Sequence, residues 1–176
     1  GIAYNYRVTF EDGTGEIIRE EMIPVYVDIR QQDPRQRMGQ RVVRGDSIKG
    51  SPDADRVRSL IRSQDQLREV ADRYISQQVA SLREALHERR REVTQQELDD
   101  LAEYAEAERQ RIEEFIEDYE RKAEAGSNMD IAIRGQQERL NKLEQRIADR
   151  RTELTRKAQV ISLAPEVENL CLVLPV

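Results

Sequence analysis

Five cations stand close together in residues 31 to 51, QQDPRQRMGQRVVRGDSIKGS: Arg35, Arg37, Arg41, Arg44 and Lys49, set against only Asp33 and Asp46. Guanidinium and ammonium groups without carboxylates beside them in sequence suit phosphate oxygens, bound in a salt-sensitive way that does not read bases. The stretch has no sustained apolar period, and its Gln, Arg and Gly content reads as a loop or linker. A basic linker without a ligand is the competing reading of the same residues.

Other residue types that do chemistry are sparse or badly spaced. Gly13-Thr14-Gly15 lacks the further glycine and the helix of a phosphate cradle, and no G-x-x-x-x-G-K-[ST] run exists, so the run reads as a turn. His87 is the one histidine, in HERRRE, with no second His or Cys at ligand spacing; it reads as a helix-surface residue. Cys171 is the one cysteine, which excludes an internal disulfide, and it reads as a small buried hydrophobe. Carboxylates such as Glu103 and Glu106, or Glu113 and Glu117, share a helix face, but acid-base catalysis needs a sheltered pocket to separate their pKa values. No catalytic residue, metal or cofactor is expected in this segment.

The elements that must position the basic stretch follow from composition and period. With 36% charged residues, 5% aromatic and no tryptophan among 176, long solvated helices with narrow apolar stripes are expected beside one small core. The net charge of -6 excludes a surface that wraps nucleic acid throughout, though a local basic patch remains allowed. No apolar run approaches about 18 residues and no signal peptide is evident, so a cytoplasmic segment without membrane contact is expected. The start on Gly1-Ile2 rather than Met suggests a piece of a longer chain.

Residues 4 to 10 alternate Tyr4, Tyr6, Val8 and Phe10 with Asn5, Arg7 and Thr9, the period of a half-buried strand. EDGTGE then supplies turn glycines, and IIREEMIPVYVDI resumes the strand pattern, with Pro24 marking a bulge, an edge or a break. Pro52 after Ser51 reads as a first helical position, with Asp53 and Asp55 favouring the helix N-terminus. No further proline occurs until Pro165, and Val57, Leu60, Ile61, Leu67, Val70, Ala71, Tyr74, Ile75, Val79, Leu82 and Leu86 form a broad stripe. A bend within residues 56 to 80 would let it cover the sheet.

Two heptad runs follow. Leu98, Ala105, Ile112 and Tyr119 fall seven apart with Leu101 and Phe115 as companions; Leu140, Ile147, Leu154 and Ile161 do the same with Leu143 and Ala158. The first run is acidic and the second basic, which predicts an antiparallel hairpin whose turn is AGSNM, residues 125 to 129. Gly126, Ser127 and Asn128 supply the stop and restart, and together with Met129 they form a candidate partner-binding tip. At 87 to 97 Thr94 and Glu97 match a capping box that would start a new helix after a reversal, but a continuing or kinked helix is favoured, because no Gly or Pro breaks it. Pro165 should end the last helix, and LCLVLPV has the apolar run of a strand covered on both faces.

The fold class is thus α+β, mostly α: a long antiparallel coiled-coil hairpin with a small antiparallel β base made by the N-terminal hairpin and the C-terminal strand. Residues 1 to 30 and 160 to 176 form the base, 31 to 51 the basic loop, 52 to 94 a helical segment packing on the base, and 95 to 159 the coiled coil.

The order YRVTFEDGTGEIIREEMIPVYVDI, Arg/Glu-rich helices, LNKLEQRIADRRTELTRKAQV and ISLAPEVENLCLVLPV resembles the region downstream of the motor core in prokaryotic Swi/Snf-like, RapA-type helicase-superfamily ATPases. The resemblance covers most of the chain and implies an accessory segment of a DNA-translocating ATPase, touching duplex DNA, the motor lobes or a protein partner. None of the motor's catalytic motifs occurs, so the resemblance carries over no catalytic residue. The alternative is a structural or chaperone-like coiled-coil interaction module, prefoldin-like in layout, without nucleic-acid binding.

Overall fold

The structure, a computed structural model, describes residues 1 to 45 and 53 to 174. It is α+β and mostly helical, with nine elements among the described residues: β1 (Ile2–Glu11), β2 (Ile17–Val27), β3 (Pro34–Arg35), α1 (Gln36–Arg44), α2 (Ala54–Arg62), α3 (Gln64–Glu124), α4 (Asp130–Ala158), β4 (Ile161–Ser162) and β5 (Glu166–Leu172). The chain divides into two compact units, Gly1–Leu86 with Val160–Val176, and His87–Gln159; α3 contributes to both.

In the first unit β1 is the central strand, antiparallel to β2 on one side and to β4 and β5 in turn on the other. Period two carries Ile2, Tyr4, Tyr6, Val8 and Phe10 to one face, where Ile23, Val25 and Val27 of β2 join them. Leu60 of α2 and Leu67, Ala71, Ile75 and Val79 of α3 cover that face. Two of the tyrosines also place their hydroxyls: Tyr4 donates to the Gln64 carbonyl at 2.9 Å, and Tyr6 to Asp72 Oδ1 at 2.5 Å. Burial pushes the Tyr4 phenol up to about 12. Tyr6 is raised further, first by burial and then by its bond to the Asp72 carboxylate.

The β1–β2 turn is organised by Asp12, which is 1% exposed. Its Oδ1 accepts from the Thr14 amide at 2.8 Å, the Thr14 hydroxyl at 2.5 Å and the Glu16 amide at 3.2 Å. Gly15 takes the positive φ of +87°, which a side chain would resist. Pro24 lies opposite Asn5 in unshifted register, on the part of β2 whose far edge β3 does not reach, since β3 pairs only with Tyr26 and Val27. The edge assignment for Pro24 is the one of the three that holds.

Several expectations for this unit are corrected. Residues 36 to 44 form a helix, α1, where a loop is expected. The helix after residue 52 is capped by Asp53, whose side chain accepts from the Asp55 and Arg56 amides, while Ser51 and Pro52 lie outside the described residues. The bend expected within residues 56 to 80 is present, at Ser63, whose amide folds back onto the Ser59 and Leu60 carbonyls at 3.2 Å each. The closing strand β5 does pair with β1, but it is not covered on both faces: Leu170 is 42% exposed and Cys171 is exposed rather than buried. A strand with a neighbour along one edge only shelters its side chains less, and here Arg7 of β1 holds it partly by charge, pairing with Glu166 and with Glu168 at 2.9 Å. Pro175 and Val176 lie outside the described residues.

In the second unit α3 runs unbroken through 87 to 97, and α3 and α4 pack antiparallel in the coiled-coil manner. Ala105, Ile112, Leu143 and Ile147 are its buried seam, with Leu101, Ile116 and Leu140 against them. The companion position is Ile116, not Phe115, which is 43% exposed and stacks on Tyr119 at 6.4 Å. Ile161 is not a heptad member either: α4 ends at Ala158, well before Pro165, and Ile161 sits in β4 at 48% exposure. The α3 stop is a Schellman turn, with Gly126 at φ +95°, its amide on the Ala123 carbonyl and the Ser127 amide on the Lys122 carbonyl. The restart does not use Ser127 or Asn128, since the N-cap is Met129, without a side-chain cap.

Across the seam Arg109 binds Glu144 Oε1 at 2.7 Å and Arg139 binds Glu108. Arg90 donates from both Nε and Nη2, at 2.8 and 2.6 Å, to the Lys157 carbonyl, one of the orphan acceptors at the C-terminus of α4.

Candidate nucleic-acid interface

The candidate interface belongs wholly to the first unit. α1, QRMGQRVVR, contains three arginines and no carboxylate. Arg37, Arg41 and Arg44 are spaced by four and three, so all three share one helical face, and each is exposed. The opposite face carries Gly39, the one buried residue of the helix. A methyl group at Gly39 would come within 2.6 Å of the Pro24 carbonyl oxygen and 2.7 Å of the Pro24 carbonyl carbon, both backbone atoms that cannot turn away. The helix is therefore docked backbone to backbone on β2, and this is what aims the arginines outward.

The approach to α1 is fixed by a carboxylate. Asp28 Oδ1 accepts from the Arg30 amide at 2.8 Å and the Gln31 amide at 3.2 Å, and its other oxygen accepts from the Tyr26 hydroxyl at 3.2 Å. The backbone bond from Arg30 leads the causes that hold its carboxyl below the usual range. At the far end Gly45 donates to the Val42 carbonyl at 3.3 Å, and Arg41 and Arg44 lie in the last turn, where the helix dipole favours cations.

Of the five cations that the sequence singles out, three are brought together. Arg37, Arg41 and Arg44 make no ion pair among the described residues. Arg35 differs: its Nε binds Asp33 at 3.0 Å and its Nη2 donates to Gln31 Oε1 at 2.5 Å, so its charge is partly spent within the protein. Lys49 lies outside the described residues. A shallow cavity of about 550 Å³ beside α1 is lined by Pro34, Arg35, Arg37, Met38, Arg41 and Tyr74, and a second adjoins it along Arg37, Arg41 and Arg44. Tyr74 is the residue that sequence reasoning misses here, since its place in the broad apolar stripe gives it a core role. Its signal is that it is the one aromatic residue in that stripe.

The hairpin tip is a separate candidate in the second unit. Gly126, Ser127 and Asn128 are exposed and Met129 is half-buried; Ile131, just beyond, is 79% exposed. His87 is exposed on α3. No helix among the described residues is long and apolar enough to cross a membrane.

In comparisons with known proteins, no family model matches the chain, and neither a curated protein nor a solved structure matches it.

Proposed function

We propose that this segment is a non-catalytic accessory module of a DNA-translocating, helicase-like ATPase, and that it holds DNA by its phosphates through the arginine face of α1. The observation that supports the reading is the row Arg37, Arg41 and Arg44 on a helix without a single carboxylate. The motor setting comes from the sequence resemblance alone. Phosphate contacts of this kind position a module on nucleic acid without reading its sequence. A gel-shift titration of the full chain against duplex DNA at about 50 and 200 mM salt tests it. Replacing all three arginines by Ala is expected to weaken the shift strongly at low salt and to flatten the salt dependence of what remains by a slope of about 2 to 3. Undiminished binding by the triple variant, or no binding by the parent chain at low salt, overturns the reading.

A second reading, a coiled-coil interaction module without nucleic-acid affinity, is favoured by one observation, the 79% exposure of Ile131 beside the α3–α4 turn. It expects Ile131→Asp to weaken capture of a protein partner while the α1 variants leave that capture unchanged.

A further inference from the structure

Cations are only half of what the cavity beside α1 presents. Arg37 and Arg41 line it together with Pro34, Met38 and Tyr74, so guanidinium groups and an apolar wall with an aromatic ring face the same space. Tyr74 comes from α3, where it is half-buried against the sheet core and so held by packing. Met38 is 38% exposed on α1. Arg37 and Arg41 also line the adjoining cavity, which continues to Arg44, so the charged track extends past the ring.

A track of arginines without ion pairs among the described residues would by itself serve any polyanion. A ring beside that track also suits a ligand that carries flat apolar faces between its phosphates. In duplex DNA those faces are already stacked on one another, whereas in a single strand they are free to lie on an aromatic side chain. We propose that this cavity binds single-stranded DNA in preference to duplex, with Tyr74 as the stacking platform and Arg37, Arg41 and Arg44 on the neighbouring phosphates. This rests on the phosphate-binding reading above and adds the state of the strand that is bound. Arg35 is not part of the track, because Asp33 and Gln31 hold its guanidinium.

The test is fluorescence anisotropy on the full chain with three labelled probes of equal length: oligothymidylate, an abasic strand with the same phosphates, and a duplex. Oligothymidylate is expected to bind about tenfold more tightly than the abasic strand, the size of one base stacked on one ring, and more tightly than the duplex. Tyr74→Leu, which keeps apolar packing and removes the ring, is expected to erase the difference between base-bearing and abasic strands. Tyr74→Phe should retain it. Should Tyr74→Leu fail to fold by circular dichroism, the comparison of oligothymidylate with the abasic strand on the parent chain still decides. Equal affinity for those two strands, or tighter binding of the duplex, overturns this inference while leaving phosphate binding intact. No binding of any probe at low salt overturns both.

Discussion

Helix α1 and the second unit use arginine in opposite ways. In the second, charges face carboxylates within reach: Arg109 binds Glu106 and Glu144, Arg139 binds Glu108, Arg150 binds Glu153 and Lys142 binds Glu138. In α1, Arg37, Arg41 and Arg44 share a face with no carboxylate on their helix. The carboxylates within reach decide whether a guanidinium is paired inside the fold or left exposed. The cores differ as well, one a broad face of aromatic and aliphatic residues between sheet and helices, the other a narrow seam of aliphatic residues between two helices.

The strongest way to break the comparison is to empty each core in turn. Phe10→Ala should cost about 3–5 kcal/mol, because strand and helix backbones on either side cannot close the space. Hydrogen exchange should then rise in β1 and β2 while amides around Ile112 and Ile147 stay protected. Ile112→Ala, at a residue 0% exposed, should cost about 2–5 kcal/mol and reverse the pattern. Simultaneous loss of protection in both units after either change would mean that the chain unfolds as one.

Gly39→Ala ranks next. Added against the Pro24 backbone, the methyl group should cost about 1–3 kcal/mol by overpacking and displace α1, weakening DNA binding although every arginine remains. A variant with unaltered urea midpoint and DNA affinity would show that the close contact does not position the face.

High pH separates the units in another way. Tyr4 has its phenol raised from 10.0 to about 12 in the folded chain, so the unfolded chain releases its proton first. The stabilisation is complete below pH 10 and is lost as pH climbs towards 12, with Tyr6 adding to it in the same direction. Hydrogen exchange or near-ultraviolet dichroism between pH 9 and about 12 should report loosening of the sheet. A Tyr4→Phe, Tyr6→Phe variant that loosens over the same range as the parent would count against it.

The smallest expected effects test the contrast most directly. Arg109→Ala removes the pairs with Glu106 and Glu144 and should lower stability only slightly, less at high salt, with no change in the proposed DNA binding. Arg41→Ala should leave stability within about 0.5 kcal/mol and weaken DNA binding clearly. Equal effects of the two on binding would show that DNA affinity is not confined to α1.

Legibility followed the physics of burial. Tyr4 to Phe10 were readable because burial on one face imposes period two, and the Gly126 stop because a positive φ favours glycine. α1 was not readable, since its buried contact is Gly39, a residue that leaves no apolar period and lowers helix propensity. The same contact places the arginines, so the basic residues were visible in the sequence but not their common face. β5 misled for the opposite reason: an apolar run signals β structure, yet does not say whether a second neighbour exists to cover it. Between Phe115 and Ile116 a heptad count alone does not choose, and the aromatic residue went to the surface.

The fork from Arg90 to the Lys157 carbonyl bears on how the hairpin could transmit motion. Paired helices that can ratchet past one another by a turn carry information by changing register. Here a shift of one turn, about 5.4 Å, would take that carbonyl out of reach of Arg90 and separate Arg109 from Glu144. Held by Arg90 near its open end and by Arg109 midway, the hairpin has its register set at two points along its length.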